Sequence, residues 1–137
     1  MKKTRFFKFL PGFTLTELLV VLIIMGILVL LALPNLMPLI SKAKSTEAQL
    51  QLNHVYTLEK TYFYLHSTYS DDLEEIGFEQ EKLSVDGGSA NYIIEIIEAS
   101  NSGFKAKAVS VVDFDNDGIF NEWEIDENKN LLETIKD

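Results

Sequence analysis

The stretch Gly12–Asn35, GFTLTELLVVLIIMGILVLLALPN, is a membrane-length apolar run with a carboxylate near its start. From Leu18 to Leu33 it holds sixteen residues without a charged or strongly polar side chain. Counted from Phe13 to Leu33 the run is 21 residues long. As a helix that is about 31 Å, which matches a hydrocarbon core of about 30 Å. Upstream, Lys2, Lys3, Arg5 and Lys8 put four positive charges and no acid into residues 1–12. A basic flank of this kind stays in the cytoplasm while the bulk of the chain crosses. A cleaved secretory signal ends its apolar run in a small-x-small site. Here the run ends in LALPN, and Ala32 alone is a poor match. An ordinary membrane anchor gives no reason for Glu17, because a carboxylate at the edge of a bilayer segment costs about 2–3 kcal/mol unless paired or protonated.

The motif GFTLTE followed by an apolar helix resembles the signal of type IV pilins and of the major pseudopilins of type II secretion. The resemblance covers about residues 8–66. It implies that a prepilin peptidase cuts after Gly12 and methylates the new amino terminus at Phe13, so that the leader 1–12 leaves and the hydrophobic helix 13–40 stays. It makes Glu17 the fifth mature residue and Pro34 the proline that often kinks the helix at the end of the membrane span. The physics is consistent with that division. Cleavage creates an amine on Phe13, and in a filament the amine of one subunit can meet Glu17 of a neighbour. A charge that is costly alone becomes tolerable when paired, and breaking such a buried pair costs roughly 3–5 kcal/mol.

Beyond the apolar run, one helix is expected to continue to about His66, bent near residues 34–38 because proline lacks a backbone donor. Ala48, Leu52, Val55, Leu58, Tyr62 and Leu65 recur at spacings of three and four, a stripe for packing on a sheet. His54 and His66 have no companion at metal-ligand spacing and read as surface or helix-end residues. Residues 71–88 read as a connecting loop with a helical turn near Leu73–Ile76 and a tight turn at Asp86-Gly87-Gly88. Residues 91–98 (NYIIEIIE) and 104–112 (FKAKAVSVV) read as an antiparallel strand pair, and 123–126 with 131–135 as a second pair. The expected fold is α+β: a long N-terminal helix, apolar then amphipathic, laid on a small antiparallel sheet. The globular domain covers 41–137.

The stretch DFDNDGIFNEWE, 113–124, fits the twelve-residue calcium-loop spacing. Asp113, Asp115 and Asp117 fall at positions 1, 3 and 5, and Gly118 supplies the turn. Ile119 would offer its backbone carbonyl, Asn121 would hold a water and Glu124 would close the loop with two oxygens. Hard oxygen donors at alternating positions suit calcium as the cofactor. The loop is entered from a strand, so it is not an EF-hand, which needs an entering helix. A calcium staple tying the strand to the C-terminal segment is the reading, with Trp123 packing on the sheet. The chain has no cysteine, so no disulfide performs this task. In the family the resemblance names, a C-terminal disulfide or a calcium site often closes this region.

The net charge is −9, but without the leader's four cations the remainder carries 8 basic and 21 acidic residues, net −13. Such a body disfavours nucleic acid as a direct partner, since phosphate binding needs clustered Lys and Arg. No catalytic triad, zinc site or phosphate loop is present, so the chain does not read as an enzyme. The resemblance implies a filament subunit in a bacterial inner membrane with its bulk in the periplasm, then a homopolymer in the periplasm or at the cell surface. Its implied partners are the prepilin peptidase, an inner-membrane assembly platform and ATPase, minor pseudopilins, and the lipid bilayer before assembly. A major pseudopilin of type II protein secretion is the first expectation. The alternatives are a major type IV pilin of a surface pilus and a non-polymerising, membrane-anchored calcium-binding protein.

Overall fold

The computed structural model describes residues 12–137; all but the last residue of the expected leader 1–12 lies outside the described residues. One helix, α1, spans Leu15–His66, with Pro34 and Pro38 inside it. A 3-10 turn follows at Ser84–Asp86. Four strands then run β1 Tyr92–Ala99, β2 Phe104–Ser110, β3 Glu122–Asp126 and β4 Leu131–Ile135. They form one antiparallel meander in the order β1-β2-β3-β4. The α+β architecture expected from the sequence is the one observed. By contacts the chain divides into a unit ending at Leu36 and a unit from Met37 to Asp137.

The first unit carries the apolar span. Leu15–Pro34 is long and apolar enough to cross a membrane, and none of it is buried within the chain. Its leucines, valines and isoleucines are about half exposed all round the helix. A helix that is apolar on every side has no single core face to offer, so its burial must come from lipid or from other chains.

The second unit has its own core. On the second half of α1 the buried positions are Ser41, Ser45, Ala48, Leu52, Val55 and Glu59, spaced 4, 3, 4, 3 and 4. That spacing tracks the 3.6-residue period and keeps one face on the core. The stripe expected from the sequence drifts off it after Val55. Leu58 and Tyr62 are only half-buried and Leu65 is 75% exposed. The reason is angular: the two successive steps of three residues from Leu52 to Leu58 lag the helix by roughly 120°, so the core position falls to Glu59 rather than Leu58.

Strand β2 alternates strictly, with Phe104, Ala106, Ala108 and Ser110 buried and the lysines between them only partly covered. Tyr92 and Ile94 of β1 and Ile125 of β3 join Leu52, Val55, Tyr69, Ile76 and Phe78 in one cluster. Full burial of a leucine such as Leu52 contributes about 1.5–3 kcal/mol. The alternation of β1 ends at a bulge between Ile96 and Glu98, which leaves Ile97 on the surface. The free edge of β1 is covered by one side chain. Gln80 Nε2 donates to Tyr92 O at 3.0 Å, and Gln80 Oε1 accepts from the Ile94 amide at 3.0 Å. This imitates a neighbouring strand and blunts an edge that would otherwise invite pairing. The 71–88 connection contains the expected helical turn, closed by Phe78 N–H to Leu73 O at 2.8 Å.

Candidate functional site

Two places carry the chemistry singled out by the sequence: the start of α1 and the acidic loop.

At the helix start, Gly12 and Phe13 precede the first turn and both are exposed. Thr14 caps the helix. The Glu17 amide donates to Thr14 Oγ1 at 3.2 Å. In return the Thr14 amide and Thr14 Oγ1 both donate to Glu17 Oε2, each at 2.8 Å. This is a capping box, T-x-x-E, in which two otherwise orphaned backbone donors are satisfied reciprocally. Glu17 thus has a local task at the helix start besides the expected pairing with a neighbour's amine, and its T-x-x-E spacing is visible in the sequence. Only one of the two Glu17 oxygens enters the box. Pro34 sits at the far end of the apolar span, with its side chain exposed.

In the acidic loop, Asp113, Asp115 and Asp117 converge, with carboxylate oxygens that all lie within 4.8 Å of one another. A fourth acid, Asp137, belongs to the same group. The loop is wound around these side chains. Asp113 accepts from the Asn116 amide at 2.6 Å and from the Gly118 amide at 2.8 Å. Asp115 accepts from the Asp117 amide at 3.1 Å, and Asp117 from the Ile119 amide at 2.7 Å. Gly118 has φ +89°, a left-handed turn that a residue with a Cβ adopts only with strain. Asp137 Oδ2 accepts from the Phe114 amide at 2.9 Å, while Oδ1 is buried without a hydrogen-bond partner. A buried, unpaired carboxylate oxygen beside three other carboxylates is a donor set that fits a hard cation such as calcium.

Two further residues of the loop pattern, Asn121 and Glu124, are held by other partners. Asn121 is buried and committed elsewhere. Its Oδ1 accepts from Tyr92 Oη at 2.7 Å, and its Nδ2 donates to Glu133 Oε1 at 2.8 Å and to Ile135 O at 3.1 Å. Glu124 lies within β3, opposite Lys107 and Leu132, and is not in the four-acid group. Ile119 is exposed midway along the loop. Asp137 stands twenty residues beyond Asp117 in the chain. Only the β3–β4 hairpin returns it, and no spacing rule marks it. Phe114 pins the loop to the domain, edge-on to Tyr92 at 6.0 Å and with Lys44 Nζ 4.4 Å above its ring. Trp123 packs against the core opposite Ala108, as expected, with its Nε1–H buried and unpartnered.

An apolar N-terminal helix opened by the GFTLTE motif, continuing into an amphipathic half packed on an antiparallel sheet, is the architecture that the resemblance to type IV pilins implies. The comparison with known proteins supports that resemblance. The chain is 40% identical over 82 residues to the type IV major pilin protein PilA of Myxococcus xanthus (strain DK1622). The match covers 60% of this chain and 37% of that protein, so the chain spans well under half the length of this curated relative. No family model matches the chain.

Proposed function

We propose that this chain is a structural subunit of a type IV pilus-like filament rather than an enzyme. The observation that carries the reading is the membrane-length helix with one carboxylate, Glu17, four residues behind an exposed Gly12–Phe13 junction. The subunit is stored in the inner membrane, processed by the prepilin peptidase after Gly12, and drawn by the assembly platform and ATPase into a homopolymer. Minor pseudopilins or pilins complete the filament. The apolar helices supply cohesion, since their surface finds no partner within the chain. Glu17 sets register by meeting the Phe13 amine of a neighbour.

Two destinations are open to such a filament. The acidic loop, in a chain with no disulfide, supports the major pseudopilin of a type II secretion system as the first reading. The name of the PilA relative favours the second, a surface pilus. In either case calcium braces the exposed domain. Asp113, Asp115, Asp117 and Asp137 would hold it, and the charge of the cation offsets their mutual repulsion. The experiment is mass spectrometry of the mature amino terminus, joined to shearing and negative-stain imaging of native cells. Cleavage after Gly12 with this chain in sheared surface filaments supports a pilin. Cleavage with retention in the envelope, and exported enzymes trapped inside on deletion, supports a secretion pseudopilin. An uncleaved amino terminus overturns the filament reading.

A further inference from the structure

Glu59 is an acid in a core position. It stands in the buried stripe of α1 with Ala48, Leu52 and Val55, and none of its surface is exposed. Its Oε2 accepts from the Ser70 amide at 3.2 Å, and its Oε1 is buried with no hydrogen-bond partner. No cation forms a salt bridge with it among the described residues. Lys60, next along the helix, turns to donate from Nζ to Tyr69 Oη at 2.7 Å. Lys60, the adjacent cation, is thus engaged by Tyr69, and the other ionisable groups named around Glu59 are neutral or acidic. On its own helix Tyr62 stands one turn on. From the segment that follows the helix come Tyr69 and Glu75, with Tyr62 Oη and Ser70 Oγ both donating to Glu75 Oε2 at 3.1 and 2.8 Å. Asp71, Asp72 and Glu74 of that segment are exposed. The buried face of the sheet offers Phe104, Ala106 and Ile125, none of them ionisable.

The segment that Glu59 holds is bounded by two left-handed residues, Ser67 (φ 59°) and Gly77 (φ 81°). It joins the helix end to the sheet: the Tyr69 amide donates to Ser100 O at 3.0 Å, and the Tyr69 ring stacks on Phe63 at 4.7 Å. An ionised carboxylate with one hydrogen bond and no cation is costly in such a place, and the neutral acid is much less so.

We propose that Glu59 is a proton-operated latch for the Ser67–Gly77 segment: neutral, it keeps the segment seated on the end of α1, and ionised, it lets the segment lift. Burial pushes the Glu59 carboxyl up from 4.5 to about 7, so the latch responds near neutral pH. The closed form holds the proton more tightly than the open form. Acid therefore favours the closed form, and opening grows as pH rises from about 4.5 to about 7 before levelling off.

The test is hydrogen exchange on the full chain in detergent micelles between pH 5 and 9, corrected for the intrinsic chemical rate. The opening equilibrium of the Ser67–Gly77 segment is expected to rise about tenfold per pH unit up to about pH 7, then to flatten. In Glu59→Gln, or in Glu59→Met if the amide does not fold, the same segment should show no such rise. Carbon-13 titration of the Glu59 carboxyl in the wild-type chain provides a readout independent of any variant, with a midpoint near 7. A wild-type profile without the rise, a variant that keeps it, or a midpoint at an ordinary carboxylate value overturns the latch.

Discussion

Tyr92 Oη donates a 2.7 Å hydrogen bond to Asn121 Oδ1, joining the first strand to the end of the acidic loop. The same amide reaches β4 through Glu133 Oε1 and Ile135 O, and Ser45 Oγ of α1 stands 3.5 Å from its oxygen. Asn121 thus fastens the loop, the edge strand and β1 at one buried point. Asn121→Ala would leave the Tyr92 hydroxyl and the Ile135 carbonyl unsatisfied. It should destabilise the domain by about 2–3 kcal/mol, read as a lower urea midpoint with an unchanged slope. Tyr92→Phe removes one bond and should cost about 1 kcal/mol or slightly more. A loss below about 0.5 kcal/mol for Asn121→Ala would show that this point carries no weight.

Glu17 has two tasks that one pair of substitutions can separate. Glutamine serves a capping box as glutamate does, but has no charge to offer a neighbour's amine. Glu17→Gln should therefore leave helix content unchanged while lowering filament assembly by at least about 100-fold, the equivalent of roughly 3 kcal/mol. Thr14→Ala should do the reverse, costing about 1 kcal/mol at the helix start with assembly near normal. Quantifying sheared filaments against membrane-retained subunit checks both. Wild-type assembly by Glu17→Gln would assign the carboxylate to capping alone.

The strands were legible because their alternation and their turn residues agree: Phe104–Ser110 alternates, and Asn101–Gly103 turns the chain before it. The helix was legible in extent and misphased in detail. A hydrophobicity pattern has no place for a buried glutamate, so Leu58 stood where Glu59 packs. The loop was half legible. Spacing brought out Asp113, Asp115 and Asp117, which depend only on local winding. It did not bring out Asp137, which depends on a strand pairing. Asn121 satisfied the spacing rule, but burial against Tyr92 and Glu133 decided its place.

The two possible closures of the metal loop give opposite results. If the arrangement seen here binds calcium, Asp137→Asn should weaken calcium binding about tenfold or more, and Glu124→Gln by less than twofold. Titration calorimetry on the full chain in detergent measures both. The reverse ranking would mean that β3 gives up its first residues to let Glu124 close the loop in the sequence's own register. Removing calcium with a chelator should lower Tm in the wild type and leave an Asp113→Asn, Asp115→Asn, Asp117→Asn variant unaffected. An unchanged wild-type Tm at sub-micromolar free calcium would remove the brace altogether.

The buried acid also sets a sign for global stability. Glu59 titrates at about 7 in the folded chain against 4.5 as its ordinary value. The folded state therefore binds the proton more tightly, and this group contributes stability in acid that is lost as pH rises through the interval between those values. The other carboxylates have their own slopes, so the difference between Glu59→Gln and wild type is the quantity to follow. Below about pH 5 the variant should be equal to or less stable than wild type, because glutamine also leaves a polar atom unpaired. Above about pH 7.5 it should be more stable, by on the order of 2–3 kcal/mol relative to the acid end, since it has no buried charge to form. Urea denaturation at several pH values, on chains held at the same calcium concentration, gives the difference directly. A difference that does not change with pH would mean that Glu59 ionises in the folded chain as readily as in the unfolded one.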